Sequence, residues 1–229
     1  MRIGEEDPGS LDQSLIRFGG ASALLVAVLP WSAALLALPL LLSGYTVLMD
    51  TREALLLINS HKLSYAAFLL PFIVAGFAIL PVILAVALRF RRASVVLGSV
   101  VWGAGVVMIV FATLLSLSLL PLSDHLRAAE SVAEQNAIVG TAEAIRWSAQ
   151  GAFSIFELTF GVAVLIFGWA MLKEVGFPVW LGYLGLGTGI VHLGVAVAEV
   201  IPGLDLIFLL DLVFNVWFVG LGAALLRGR

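Results

Sequence analysis

Cysteine is absent from the 229 residues, which excludes disulfides, thiolate nucleophiles and iron–sulfur ligation. Charge is scarce as well. Asp, Glu, Lys and Arg make up 12% of the chain and the net charge is -3, spread along it, so nothing points to nucleic acid as a partner. Only three histidines are present, with no HExxH and no pair at i and i+4, and neither a GxSxG nor a Walker pattern occurs. Metalloprotease, serine-esterase and nucleotide-hydrolase chemistry have no motif behind them.

What the chain has instead is apolar surface, at 62% hydrophobic residues, far above the share found in soluble domains. A helix needs about 20 apolar residues to cross a hydrocarbon core of about 30 Å. Six runs meet that length: 21–42, 65–88, 94–120, 149–172, 179–201 and 204–226. No alternating barrel pattern accompanies them, and unpaired backbone is too costly in lipid, so all six are read as helices. The predicted fold class is all-α: a single polytopic membrane domain over 1–229, built as a six-transmembrane-helix bundle with short extracytoplasmic helices. The lipid bilayer is its first partner, and no cofactor is implied.

The first run is too long for a signal-peptide core and lacks a small-residue cleavage site, so it is expected to be a retained anchor behind a cytoplasmic leader, residues 1–18. In that leader Leu11, Leu15 and Phe18 share helical spacing, which predicts a short interfacial helix. Arg89, Arg91 and Arg92 crowd the link between the second and third runs and mark it as cytoplasmic. Alternating from there, Arg2, Arg17, Lys173, Arg227 and Arg229 also fall inside, against Arg52, Lys62, Arg127 and Arg146 outside. Both termini are predicted cytoplasmic, and the connections 43–64 and 121–148 outside.

Those two connections carry helical patterning. Asp50 is predicted to cap a short helix containing Leu55, Leu56 and Ile58, and Ser123 to cap an Ala- and Glu-rich helix (Ala128, Ala129, Glu130, Ala133, Glu134) that runs past Gly140 into the fourth run. Trp147, Trp169 and Trp180 fall near run ends, as interfacial anchors do. Pro30, Pro39, Pro71 and Pro81 interrupt the first two runs and predict kinks.

Polar residues are concentrated in the last three runs. At about 100° per residue, Gln150, Ser154, Glu157, Gly161 and Gly168 share one face of the fourth; Gly182, Gly185, Gly189, His192 and Glu199 one face of the fifth; Asp211, Asn215 and Gly222 one face of the sixth. Small residues let membrane helices approach closely, so a face holding both glycine and a titratable group is expected to point into the bundle. An ionisable group facing lipid would cost at least about 2.5 kcal/mol. Glu157, His192 and Asp211 lie at a similar depth, about 10–14 Å below the outer surface at the 1.5 Å rise of a helix, with Asn215 about one turn deeper. Glu199 is placed at the outer mouth. Gly185, Gly187 and Gly189 resemble a dinucleotide loop only on paper, because no strand precedes them; Gly185 and Gly189 read as a GxxxG packing pair.

Such a cluster suits several roles. A carboxylate beside an imidazole can exchange a proton or couple it to a small solute or lipid-like ligand. In that reading Glu157 exchanges the proton, His192 pairs with it, Asp211 with Asn215 orients the ligand, and Glu199 lines the entrance. Carboxylate, imidazole and carboxylate are also an acceptable ligand set for a metal, giving a metal-dependent membrane hydrolase as an alternative, though three ligands on three helices carry no spacing signature. A further alternative has no ligand at all: a structural or assembly subunit whose polar groups clamp helices and whose glycine faces meet a membrane partner or another copy of the chain.

The turn between the fourth and fifth runs reads Gly176-Phe177-Pro178-Val179-Trp180-Leu181-Gly182-Tyr183-Leu184-Gly185-Leu186. It resembles the Gly-Phe-Pro-x-Trp-Leu-Gly turn of a bacterial family of six-helix membrane proteins of similar length, described only as a domain of unknown function. The resemblance covers the region of the fourth and fifth runs. It implies a bacterial inner-membrane location and a six-helix fold; it implies no activity.

Overall fold

The computed structural model describes the backbone of residues 8–46, 49–198 and 207–227 and the side chains of 11–46, 49–196 and 214–227. Among these residues the chain forms eight α-helices and no strand: α1 (Pro8–Leu42), α2 (Thr51–Ser60), α3 (Lys62–Phe90), α4 (Ala93–Leu117), α5 (Leu119–Ala128), α6 (Val132–Leu172), α7 (Val179–Ala198) and α8 (Ile207–Arg227). Five stretches are long and apolar enough to cross a membrane: Leu11–Leu42, Lys62–Phe90, Ala93–Ala128, Val132–Leu172 and Val179–Ala196. They mark a multi-pass, all-helical membrane protein. The sixth predicted run corresponds to α8, whose described side chains are apolar over the shorter stretch Phe214–Arg227. Residues 204–206 of that run lie outside the described residues.

Two helices differ from expectation in their extent. The leader is not a separate helix: α1 runs unbroken from Pro8 and takes in Leu11, Leu15 and Phe18. The glycines that could have ended it are used for packing instead. A Cβ at Gly19 would collide with the Ala85 side chain and lie 2.5 Å from the Pro81 carbonyl oxygen. Helix α1 also continues through Pro30 and Pro39, and α3 through Pro71 and Pro81. Helix α6 has 41 residues, about 60 Å at 1.5 Å per residue and twice a hydrocarbon core, so the fourth run is the end of a longer rod that passes Gly140 without a break.

One cap was misplaced by sequence reasoning. Asp50 does cap α2, its carboxylate accepting from Arg52 N–H at 2.9 Å and Glu53 N–H at 3.3 Å. Ser123, however, lies inside α5, fully buried, with its hydroxyl donating to the Leu120 carbonyl at 2.6 Å. The cap of the following helix is Ser131, whose hydroxyl accepts from Glu134 N–H at 3.2 Å while the Glu134 carboxylate accepts from Glu130 N–H at 3.3 Å. Ser131-x-x-Glu134 has the spacing of a capping box, with the glutamate reaching one residue further back, to Glu130 N–H. Three residues outside a helix, Ala129–Ser131, separate α5 from α6.

The chain folds into two compact units, one of Met1–Val28, Ala75–Val107 and Ser154–Arg229, the other of Leu29–Val74 and Met108–Phe153. In the second, α2 packs on α5 around Leu40, Leu55, Ile58, Tyr65, Leu69, Leu119, Leu126 and Ala142. Polar groups tie its rim. Asp124 accepts from Asn59 at 3.0 Å and pairs with Lys62; Arg127 donates to Asn59 at 3.1 Å; Arg146 donates to the Thr51 hydroxyl at 2.8 Å and the Met49 carbonyl at 2.9 Å. Burial holds the Tyr45 phenol above its usual pKa, against the opposing pull of the Arg146 guanidinium.

The first unit is centred on large rings that are almost wholly buried: Trp102 on α4, Phe160 and Phe167 on α6, Trp217 and Phe218 on α8. Short links join α3 to α4 and α6 to α7. Gly176 takes φ of +104°, open to glycine at no steric cost; Phe177 stacks on Phe90 with centroids 4.9 Å apart, and Arg92 bonds Glu174 at 2.9 Å. Helices α6 and α7 then meet through glycine. A Cβ at Gly168 would lie 2.8 Å from both the Gly182 carbonyl oxygen and the Leu186 nitrogen, and one at Gly189 would lie 2.8 Å from the Gly161 carbonyl oxygen. These atoms are backbone and cannot turn aside. Gly168→Ala is therefore expected to cost about 1–3 kcal/mol, as overpacking does, whereas Gly187→Ala, which meets nothing within 4 Å, should be neutral or slightly stabilising. Thermal unfolding of the two variants in the same detergent checks this.

Candidate functional site

The glycine register of α6 and α7 also places the polar residues. Gly161 lies against Gly189 and Gly168 against Gly182, so the helices run antiparallel; about one turn beyond the Gly161–Gly189 contact lie Glu157 on α6 and His192 on α7. The Glu157 carboxylate Oε2 and the His192 Nδ1 are in direct hydrogen-bond contact, and each residue is only 4% exposed. Two of the sequence-predicted residues are thus brought together by the packing device that the sequence shows.

Aromatic rings enclose the pair. Phe160, one turn along α6 from Phe156, meets the imidazole edge-on with centroids 4.5 Å apart, and Phe214 of α8 lies 5.7 Å from it. Phe160 in turn contacts Trp102 at 5.4 Å and Trp217 at 6.4 Å. In such surroundings a lone charge would be costly, while a carboxylate and an imidazole that share a proton keep the site neutral overall.

The enclosure leaves several polar atoms unmatched. Among the described residues, His192 Nε2, both amide atoms of Asn215 and the indole nitrogens of Trp102 and Trp217 are buried without a hydrogen-bond partner. Buried polar atoms are satisfied in the great majority of cases, so a group of them in one unit marks a place apart from an ordinary apolar core. Neither tryptophan was singled out by sequence reasoning. The available signal was their position: Trp102 and Trp217 stand inside helices and are fully buried, while Trp147, Trp169 and Trp180 are 71%, 56% and 55% exposed.

The remaining predicted residues are placed as follows. Asn215 is 5% exposed on α8; it shares a face with Gly222, where a Cβ would lie 2.8 Å from the Gly20 carbonyl oxygen of α1. At Gly222 that face meets α1. The side of α8 that meets α7 carries Trp217 and Gly220, which approach Gly185 and Trp180. Asp211 belongs to α8, with its side chain outside the described residues, and Glu199 lies outside them altogether. Among the described residues no three His, Asp or Glu side chains are close enough to hold a metal ion. A cavity of about 410 Å³ is lined by Leu122, His125, Glu134 and Thr141 in the second unit, and a groove of about 270 Å³ by Leu15, Phe18, Leu80 and Leu84 in the first. Glu157 and His192 line neither.

The chain belongs to the family described as Domain of unknown function (DUF4386), whose model matches residues 18–227. No curated protein and no solved structure matches it.

Breaking a buried pair strands the other partner, so Glu157→Leu alone is expected to cost about 3–5 kcal/mol, and Glu157→Leu with His192→Phe much less than the sum of the single changes. A double-mutant cycle on detergent unfolding measures this, and additive losses would show that the two side chains are not coupled.

Proposed function

We propose that this member of the DUF4386 family crosses the bacterial cytoplasmic membrane six times, with α8 as the sixth span and both termini inside, and that its Glu157–His192 pair is a proton-exchanging site within the membrane. The basic residues support the orientation: Arg89 is at the end of α3, Arg91 and Arg92 form its link to α4, and Lys173 follows α6. The single observation that carries the functional reading is a carboxylate–imidazole contact, buried between two glycine-packed helices, in which His192 keeps one ring nitrogen without a partner. An imidazole bound through Nδ1 can accept or release a proton at Nε2, and Glu157 Oε2 receives or returns the proton at the other side of the ring. Aromatic packing around the pair favours a proton over a larger solute as the species handled. Asn215, with Asp211 one turn before it on α8, is the next polar group in this scheme, and Glu199 is its proposed entrance residue.

A structural clamp is the second reading, favoured by the fact that the pair continues the α6–α7 glycine register. Infrared difference spectroscopy on the reconstituted protein separates the two. Proton exchange predicts a carboxyl C=O band that grows as pH is lowered and vanishes in Glu157→Gln, which leaves a hydrogen bond to His192 and a folded protein. A clamp predicts no such pH-dependent band, and its appearance unchanged in Glu157→Gln would remove Glu157 from the scheme.

A further inference from the structure

The unmatched nitrogens are not scattered through the first unit. His192 faces the same side of α7 as Gly185, seven positions before it and about 10 Å away along the axis. At Gly185 the missing side chain leaves room for the Trp217 indole: a Cβ there would lie 2.8 Å from Trp217 Nε1. Between these two levels Thr188 is fully buried, its hydroxyl donating to the Leu184 carbonyl at 2.8 Å and keeping its lone pairs for a further donor. Trp102, the other indole with an unmatched N–H, has its ring 6.4 Å from that of Trp217. Going down α7 from the pair, the residues that carry or seat these groups are His192, Thr188 and Gly185, about 6 and 4.5 Å apart in axial rise.

We infer that the α7 face from Gly185 to His192 holds a short file of internal water molecules, tied to Trp217 Nε1, the Thr188 hydroxyl and His192 Nε2, and that this file carries protons between the Glu157–His192 pair and the side of the site nearer the α6–α7 turn. The second half of the inference rests on the proton-exchange reading above; the first half does not. Unmatched donors and acceptors that are fully buried, in a region walled by rings, are what internal water satisfies, each molecule taking two to four polar partners. The proton step balances with one proton taken up at the far end of the file. The water at Nε2 gives it a proton as the Nδ1 proton passes to Glu157 Oε2, and that water is made whole by a proton handed along the file from the end nearer the α6–α7 turn. Thr188 and Trp217 are positioning residues here, since they hold water and do not themselves exchange with Glu157.

The test uses the full chain in lipid nanodiscs with ¹⁵N-labelled tryptophan. Magnetisation transfer from water is expected at the Trp217 indole N–H, assigned by its loss in Trp217→Phe, with the sign of immobilised water. In Thr188→Val the file loses its middle anchor, and hydrogen–deuterium exchange at the His192 ring is expected to slow about fivefold, the factor one lost hydrogen bond is worth; Thr188→Ser should restore it. An indole N–H with no water contact in the wild-type protein overturns the inference, and that measurement needs no variant to fold. Water contact without a pH-dependent Glu157 band would keep the water file and retire the proton reading. A pH-dependent band without water contact would do the reverse.

Discussion

Two helix backbones approach this closely only where one of them lacks a Cβ, and the rest of the first unit follows from that constraint on α6 and α7. Gly161, Gly168, Gly182 and Gly189 put carbonyl oxygens and nitrogens of one helix where side chains of the other would normally stand. In a bilayer, where lipid tails are as apolar as leucine, this close fit replaces the hydrophobic drive that packs helices in water. It also fixes register along and around the axes. Once Gly161 is set against Gly189, Glu157 and His192 have no option but to face each other, and their contact needs no further device.

The electrostatics then follow from the neighbours. The aromatic rings from α4, α6 and α8 exclude bulk solvent from the pair, which raises the cost of any net charge and strengthens the hydrogen bond between the partners. Two arrangements are neutral over the pair, carboxylate with imidazolium and carboxylic acid with imidazole, and proton exchange with the surroundings passes between these and the singly negative pair. The same enclosure explains why indole and amide groups are of interest: in a wall of phenylalanine an N–H without an acceptor is conspicuous, while at a membrane interface it would be routine. The polar network of the second unit, built on Asp50, Asn59, Asp124 and Arg146, is of a different kind. Its charged partners reach solvent and hold short helices in place.

Much of this was legible in the sequence because membrane composition reduces the possible structures so severely. Helices are the only plausible elements, and stripes at 3.6-residue spacing say which faces are buried; hence the Glu157 and His192 stripes, and the GxxxG of Gly185 and Gly189, could be read without coordinates. The order of helices around a bundle leaves no such trace. That is why the Asn215–Gly222 face could be assigned to the interior but not to its neighbour, which is Gly20 of α1. Ser123 precedes the alanine-rich stretch but lies within α5, and the cap of the next helix is Ser131, with Glu134 three places after it as the local sign. Trp102 and Trp217 are fully buried, whereas tryptophan in a membrane chain first suggests an interface, so composition alone carries no sign of their place.

The link between α3 and α4 consists of two residues, Arg91 and Arg92. Arg91 is held at φ of +48°, unusual for a residue with a side chain, and is paired with Asp12 of α1. A link that short has no slack. In mechanical terms the end of α3 and the start of α4 are hinged as tightly as two bars on one pin: they can pivot, but neither can slide along the other by a helical turn. Any working stroke in the first unit that needs axial travel would have to be found elsewhere than in this hairpin.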